Sequence, residues 1–322
     1  LNGTSQEAEP GSAAAGSSGA ERSGEFGGVL AVFQTPFDDG GKIDNGVMRD
    51  QFDWLFAHGA DGVVFGMVSE LLRLSSEERD ELATVACSLA TGRGLSVVSV
   101  GAESIDIAIR HAQHAEGAGA DAVMAAPPSL HAVGEDGLLQ YYSAIAASIS
   151  LPLIVQDASG YVGTPLPITL QVRLHHELGD RVMFKPEAMP VGPRLTRLLD
   201  ATGGRARVFE GTGGLYLIDS FRRGAVGTMP AGDLIWAQAA LWRALCRGDF
   251  DHAYRIAGPL AQIVSLQTSL DSFVAVEKYL LARQGVFPSS ALRMPVGEIL
   301  DEQGRAEVDR LVDLLRAAVD DA

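Results

Sequence analysis

The chain has 322 residues, 47% of them apolar and 7% aromatic, and a formal charge of −16. That length can bury a large core, as one big domain or two small ones. So acidic a balance, with no lysine-rich tract, excludes nucleic acid or an anionic membrane as the main partner. It leaves room for a small anionic substrate held by one local positive group.

Residues 1–25 are rich in Gly, Ala, Ser and Glu, lack the basic-then-apolar order of a signal peptide, and read as a disordered tail. No stretch reaches the length of a membrane span, so a cytoplasmic protein without a membrane partner is expected. Gly28-Val29-Leu30-Ala31-Val32-Phe33 is a buried-strand run stopped by Gln34-Thr35-Pro36. From Asn45 an amphipathic pattern through Met48, Phe52 and Leu55 predicts a helix stopped by Gly59. Strand two is placed at 60–66. After the loop Met67-Val68-Ser69-Glu70, Ser75 and Glu78 form a capping-box pair that opens a helix to about residue 89.

The unit repeats. Strands three, four and five are placed at 95–101, 121–126 and 151–157, with helices at 104–117, 136–149 and 168–178. Strand six ends at Lys185, strand seven covers 206–210 and strand eight 224–228, with helices at 195–202 and 215–223 between them. His58-Gly59-Ala60-Asp61-Gly62-Val63 and Ala118-Gly119-Ala120-Asp121-Ala122-Val123 are near-copies at helix-to-strand joints. Eight strand-then-helix units predict an α/β fold, a (β/α)8 TIM barrel over 26–232. Long helical patterns over 233–322 predict a C-terminal helical extension with Trp236 and Trp242 buried. Cys87 and Cys246, the only cysteines, are expected as reduced core positions.

In such a barrel the chemistry sits at the carboxyl ends of the strands. Arg181-Val182-Met183-Phe184-Lys185-Pro186-Glu187-Ala188 ends an apolar strand in a primary amine, and Pro186 forbids helical continuation. Lysine is scarce, with only Lys42, Lys185 and Lys278 against 22 arginines. A lysine desolvated among apolar neighbours, without a close carboxylate, can lose its proton and attack a carbonyl. The plain alternative is a strand-end lysine reaching for solvent. Glu187 lies two residues on, as an acid or base for the same pocket or as a surface loop residue. Gln156 and Asp157 end strand five, and only one of two adjacent strand residues faces the mouth. Glu210-Gly211-Thr212-Gly213-Gly214 offers backbone N–H groups for an anion, a weak signal because glycine loops are common. Among seven histidines only His131 is placed near the mouth, and no metal site is expected.

These motifs resemble the pyruvate-type class I aldolases typified by dihydrodipicolinate synthase and N-acetylneuraminate lyase. The resemblance runs from about Val29 to Leu300. It rests on Thr35-Pro36-Phe37, the block from Asp61 to Glu70, the helix start at Ser75 to Glu78, the strand-six lysine, Gly224-Ala225-Val226-Gly227 and Leu292-Arg293-Met294-Pro295. It implies a Schiff-base lysine at 185, a 2-oxo acid substrate, no cofactor beyond the covalent imine, and a homo-oligomer, tetramer or dimer. Departures are equally specific. Gly66-Met67-Val68-Ser69-Glu70 stands where the family has Gly-Thr-Thr-Gly-Glu, so two carboxylate-binding hydroxyls are gone. Gln156 stands where the family places a proton-relaying tyrosine, and Tyr161 where the synthase presents an arginine. Gln156-Asp157 with Lys185-Pro186-Glu187-Ala188 looks more like the branch that dehydrates 2-keto-3-deoxy sugar acids. On that analogy Lys185, Glu187 and Gln156 are the expected catalytic residues. Gly66, Ser69, Asp157, Ser159, Tyr161, Gly211 and Thr212 are expected to bind substrate. Two other readings stand beside dehydration: aldol or retro-aldol chemistry on the same imine, and a non-catalytic 2-oxo acid binding protein.

Overall fold

The computed structural model describes residues 26–297 and 300–321; the tail at 1–25 lies outside them. The first half alternates β1 (Gly28–Val32), α1 (Asn45–Ala57), β2 (Gly62–Phe65), α2 (Ser76–Ala90), β3 (Leu95–Ser99), α3 (Ile105–Gly117), β4 (Ala122–Ala125) and α4 (Glu135–Ala147). The second half continues with β5 (Leu153–Asp157), α5 (Ile168–Leu178), β6 (Val182–Pro186), α6 (Val191–Ala201), β7 (Arg207–Glu210), α7 (Leu217–Arg222), β8 (Gly227–Thr228) and α8 (Ile235–Cys246). Then come α9 (Phe250–Ser265), α10 (Leu270–Arg283) and α11 (Glu302–Asp320). The eight strands pair in parallel, in chain order, into a closed barrel.

Period-two alternation builds two apolar layers. Leu30, Val32, Val64, Met124, Ile154, Met183 and Phe209 fill the barrel interior. Their neighbours Val29, Ala31, Val63, Val123, Val155 and Phe184 face the helices. Each of these buried side chains larger than alanine contributes about 1.5–3 kcal/mol of transfer free energy. The near-copied joints act alike. Asp61, just before β2, accepts the Val29 N–H of β1 at 2.8 Å. Asp121, just before β4, accepts the Ser96 N–H of β3 at 2.8 Å. Each aspartate thereby ties the start of its strand to the preceding one. The Ser75–Glu78 capping box opens α2 as the pattern predicts.

α8 packs against β1 and takes the eighth helical position, so the helices added to the barrel are α9, α10 and α11. Leu241, Ile256, Leu260, Leu280, Val308 and Leu315 join α8 through α11 in a second core. Three local expectations are corrected. Cys246, the last residue of α8, is exposed, while Cys87 is buried. Trp236 and Trp242 are half-buried, Trp236 against the second core and Trp242 at the joint between the two. Strand eight is only Gly227–Thr228, because Gly224 turns at φ 105° just before it.

Candidate active site

Lys185 faces inward because it continues the alternation of β6. Val182 and Phe184 point to the helices and Met183 into the barrel, so the lysine rises above Met183. Glu187, two residues on, falls on the same side. The register of β5 and β6 sets Gln156 beside Lys185. Lys185 Nζ lies 2.9 Å from Glu187 Oε1, with side chains only 6% and 2% exposed. Gln156 Nε2 donates to the two Glu187 oxygens at 3.4 and 3.2 Å.

A small cavity, about 50 Å³, opens above this group. Lys185, Glu187, Gln156, Tyr161 and Gly211 line it. Met67 and Val68, carried on a single 3-10 turn (Met67–Ser69), supply apolar wall. Val264 of α9 and Phe273 of α10 supply more, so the added helices roof the barrel mouth. Lys185 is the one cation among the described residues that line it. Burial pushes the Glu187 carboxyl above the usual glutamate range, against the pull of Lys185 beside it. The lysine was expected to lack a close carboxylate. It has one in Glu187, whose carboxyl burial pushes upward while the lysine beside it pulls it down.

Gly211 explains the tightness. A Cβ there would lie 2.7 Å from Lys185 Cε and 2.9 Å from Glu187 Cγ. Gly211→Ala is therefore expected to displace both groups and to slow borohydride trapping of pyruvate about 100-fold, with little change in Tm. An unchanged trapping rate would show that the pair tolerates movement.

Other expected site residues are drawn elsewhere by local partners. The Ser69 hydroxyl donates to the Phe33 carbonyl and accepts the Gly66 N–H at 3.1 Å, and the Ser69 N–H donates to the Gly66 carbonyl. Ser69 and Gly66 thus shape the turn that presents Met67 and Val68, and neither lines the cavity. Asp157 faces the helices. It accepts from the Ser159 hydroxyl at 2.6 Å, the Leu166 N–H at 3.0 Å and Arg194 at 3.3 Å. Asp157 and Ser159 therefore brace the loop after β5. Thr212 gives its N–H, at 2.7 Å, and its hydroxyl to Glu210. His131 is 63% exposed and stands 3.7 Å from Glu103, away from the mouth. Tyr161 does line the cavity, its ring set edge-on to Phe273 at 5.3 Å. Burial and the Glu187 charge push its phenol upward.

The cavity residues that were not anticipated come mostly from α8 to α10 and their joints, and their polar members are Asp233, Gln238 of α8, Gln267 and Glu277 of α10. Glu277 had a readable signal, since Glu277-Lys278 interrupts the apolar run Val274-Ala275-Val276 and Tyr279-Leu280-Leu281. Burial raises Asp233 from the usual 3.8 to about 7, and Glu277 well above 4.5, with Asp233 adding to the latter. An unfolded Asp233 ionises near 3.8 while the folded one holds its proton until about 7. Stability therefore falls as pH rises through that window, and the Asp233 contribution levels off above it. Asp233→Asn is expected to flatten the Tm-against-pH curve between 3.8 and about 7. A curve parallel to that of the unsubstituted protein would place the titration elsewhere.

Comparison with known proteins fits this geometry. The dihydrodipicolinate synthetase family pattern matches residues 25–315. A protein of Escherichia coli named a probable 2-dehydro-3-deoxy-D-pentonate aldolase is 27% identical over 283 residues, 86% of this chain and 94% of its own. The L-2-keto-3-deoxyarabonate dehydratase of Azospirillum brasilense is 26% identical over 286 residues, 87% of this chain and 92% of its own. The crystal structure of dihydrodipicolinate synthase from Rhodopseudomonas palustris superposes with a TM-score of 0.82 at 26% identity, covering 90% of this chain and 97% of that one. Because the family match runs through the barrel and most of the added helices, the chain belongs to the dihydrodipicolinate synthetase family and is a class I lyase.

Proposed function

We propose that the protein dehydrates a 2-keto-3-deoxy sugar acid through an imine on Lys185. The observation that carries this reading is the buried Lys185–Glu187 pair, 2.9 Å apart at the floor of the cavity. The amine attacks C2, and the carbonyl oxygen leaves as water while C2=N forms. Glu187, kept protonatable by burial, supplies the proton for that departure. The imine then draws electrons from C3. Glu187 as carboxylate takes the C3 proton, the C3–C4 double bond forms, and the C4 hydroxyl leaves as water with that same proton. Hydrolysis of the imine returns the lysine and an oxo acid one water poorer. One acid–base group serving both steps implies that the proton and the hydroxyl leave from one face.

Gln156, whose amide holds Glu187, orients the carboxyl for both transfers. No cofactor enters this scheme, because the imine itself is the electron sink. A cytoplasmic homo-oligomer, tetramer or dimer, is the accompanying assembly. Among the described residues no helix is long and apolar enough to cross a membrane. The second reading is retro-aldol cleavage or aldol condensation on the same imine, with C3–C4 as the reacting bond. It is favoured by the aldolase name of the Escherichia coli relative. Borohydride reduction with a panel running from pyruvate to 2-keto-3-deoxypentonates and hexonates tests both. A reduced adduct on the Lys185 peptide is expected, with a product that keeps all substrate carbons. Shorter products would move the assignment to the aldolase, and no adduct on folded protein would remove the imine altogether.

A further inference from the structure

The loop after β5 carries Tyr161 over the barrel mouth. Gly160 seats that loop on Glu187: a Cβ there would lie 3.3 Å from the Glu187 carbonyl oxygen and 3.7 Å from its Cβ. The Tyr161 N–H donates to the Ala158 carbonyl at 2.9 Å, and Asp157 braces the same loop through Ser159 and Leu166. From the other side, the Phe273 ring of α10 meets the tyrosine ring edge-on at 5.3 Å. Backbone and ring are both held, yet the hydroxyl is unused. It is the only side-chain hydroxyl among the described residues that line the cavity. Unlike Gln156 Oε1 and Gln238 Oε1, which are sealed without a partner, it is accessible and has no hydrogen-bond partner among the described residues. Two other donors on the wall are spent, the Gln156 amide nitrogen on Glu187 and the Gln238 amide nitrogen on the Gly213 carbonyl at 2.7 Å. Burial and the charges of Glu187, Glu210 and Glu277 push the phenol upward, so it keeps its proton and acts as a donor.

We propose that Tyr161 is a further catalytic residue of the dehydration, donating a hydrogen bond to the C4 oxygen as its bond to carbon breaks. The inference rests on the imine at Lys185 and on Glu187 as the base at C3. C4 is the next atom along the chain, and Gly160 sets Tyr161 against Glu187. A substrate with C3 at the Glu187 carboxyl therefore brings its C4 oxygen toward the phenol. The surrounding charge decides which end of the substrate meets the tyrosine. Carboxyl groups after β6, at the end of β7 and on α10 act on this phenol. They repel the C1 carboxylate and admit an uncharged hydroxyl. In the step itself the C4–O bond breaks and Glu187 returns the C3 proton to the departing oxygen, which leaves as water. Tyr161 keeps its own proton and disperses the charge that builds on that oxygen.

The test is Tyr161→Phe in the full chain, which keeps the ring contact with Phe273 and removes only the hydroxyl. Two substrates are compared, a 2-keto-3-deoxypentonate and its analogue with fluorine in place of the C4 hydroxyl. Fluoride leaves as an ion and needs neither the proton nor the donor that hydroxide needs. Turnover of the hydroxyl substrate is expected to fall about 100-fold, fluoride release less than about fivefold, and the rate of borohydride trapping of pyruvate less than about threefold. Equal losses on the two substrates, or no loss on either, would overturn the role of Tyr161. If Tyr161→Phe does not fold, Phe273→Leu carries the same comparison. It keeps the hydroxyl but removes the ring that orients it, and about a tenfold loss confined to the hydroxyl substrate is expected. The unsubstituted protein separates this inference from the reading beneath it. No adduct, or no dehydration, overturns the proposed function and the role of Tyr161 with it. An adduct and full dehydration, with unchanged turnover in Tyr161→Phe, sinks the role of Tyr161 alone.

Discussion

Replacing Lys185 with methionine is expected to lower turnover by at least about 10⁴-fold and to eliminate the borohydride adduct. Methionine keeps most of the apolar stem and removes only the nucleophile. Arginine is the informative companion, because it restores a cation beside Glu187 yet cannot form an imine at ordinary pH. Both variants should therefore be inactive, and they should differ in stability. In Lys185→Met the Glu187 carboxyl loses the neighbour that pulls its pKa down, while the burial that pushes it up remains. Its folded pKa then rises further above the unfolded value. The cost is absent in acid and grows as pH climbs through and beyond the ordinary glutamate range near 4.5. A Tm close to that of the unsubstituted protein at low pH, falling below it at neutral pH, is the expected signature. Retained turnover in either variant on the substrate that traps best would remove Lys185 from the chemistry.

That lysine was legible because two local facts suffice for it: an apolar strand run ending in an amine, and a proline that ends the element. Strand parity likewise separates Gln156 from Asp157, since Gln156 shares the inward side of Ile154. The barrel was legible for the same reason, as alternation, glycine stops and the Asp61 and Asp121 joints are all short-range. Ser69 and Thr212 were misplaced because a hydroxyl near a cavity and a hydroxyl spent on a nearby acceptor look identical in sequence. The Phe33 carbonyl that accepts the Ser69 hydroxyl's hydrogen bond is 36 residues away. Asp233, Gln238 and Glu277 escaped for a different reason. Their role depends on how α8 and the added α10 dock around the mouth, and no periodicity within one helix encodes that.

The same docking yields the largest stability effect expected here. Lys278, beside Glu277 on α10, reaches back to the end of β2, where its ammonium meets Glu70 with both side chains wholly buried. It also donates to the Ala291 carbonyl at 2.8 Å and sits 4.4 Å from the Phe37 ring centroid. Glu70 in turn accepts the Arg293 N–H at 2.9 Å and holds a left-handed backbone at φ 58°. Burial pulls the Lys278 ammonium below its usual range while Glu70 pulls it back up. Removing one partner strands the other charge, so Lys278→Met is expected to cost about 3–5 kcal/mol, read from chemical unfolding. The double change Glu70→Gln with Lys278→Met removes both charges and should recover more than half of that loss. Glu70 directly follows the turn that carries Met67 and Val68, so the single variant should also weaken 2-oxo acid binding before it unfolds. If the single and double variants unfold at the same denaturant concentration, the stranded charge is not what destabilises them. The contribution of Lys278 would then lie in its packing against Phe37 rather than in the ion pair.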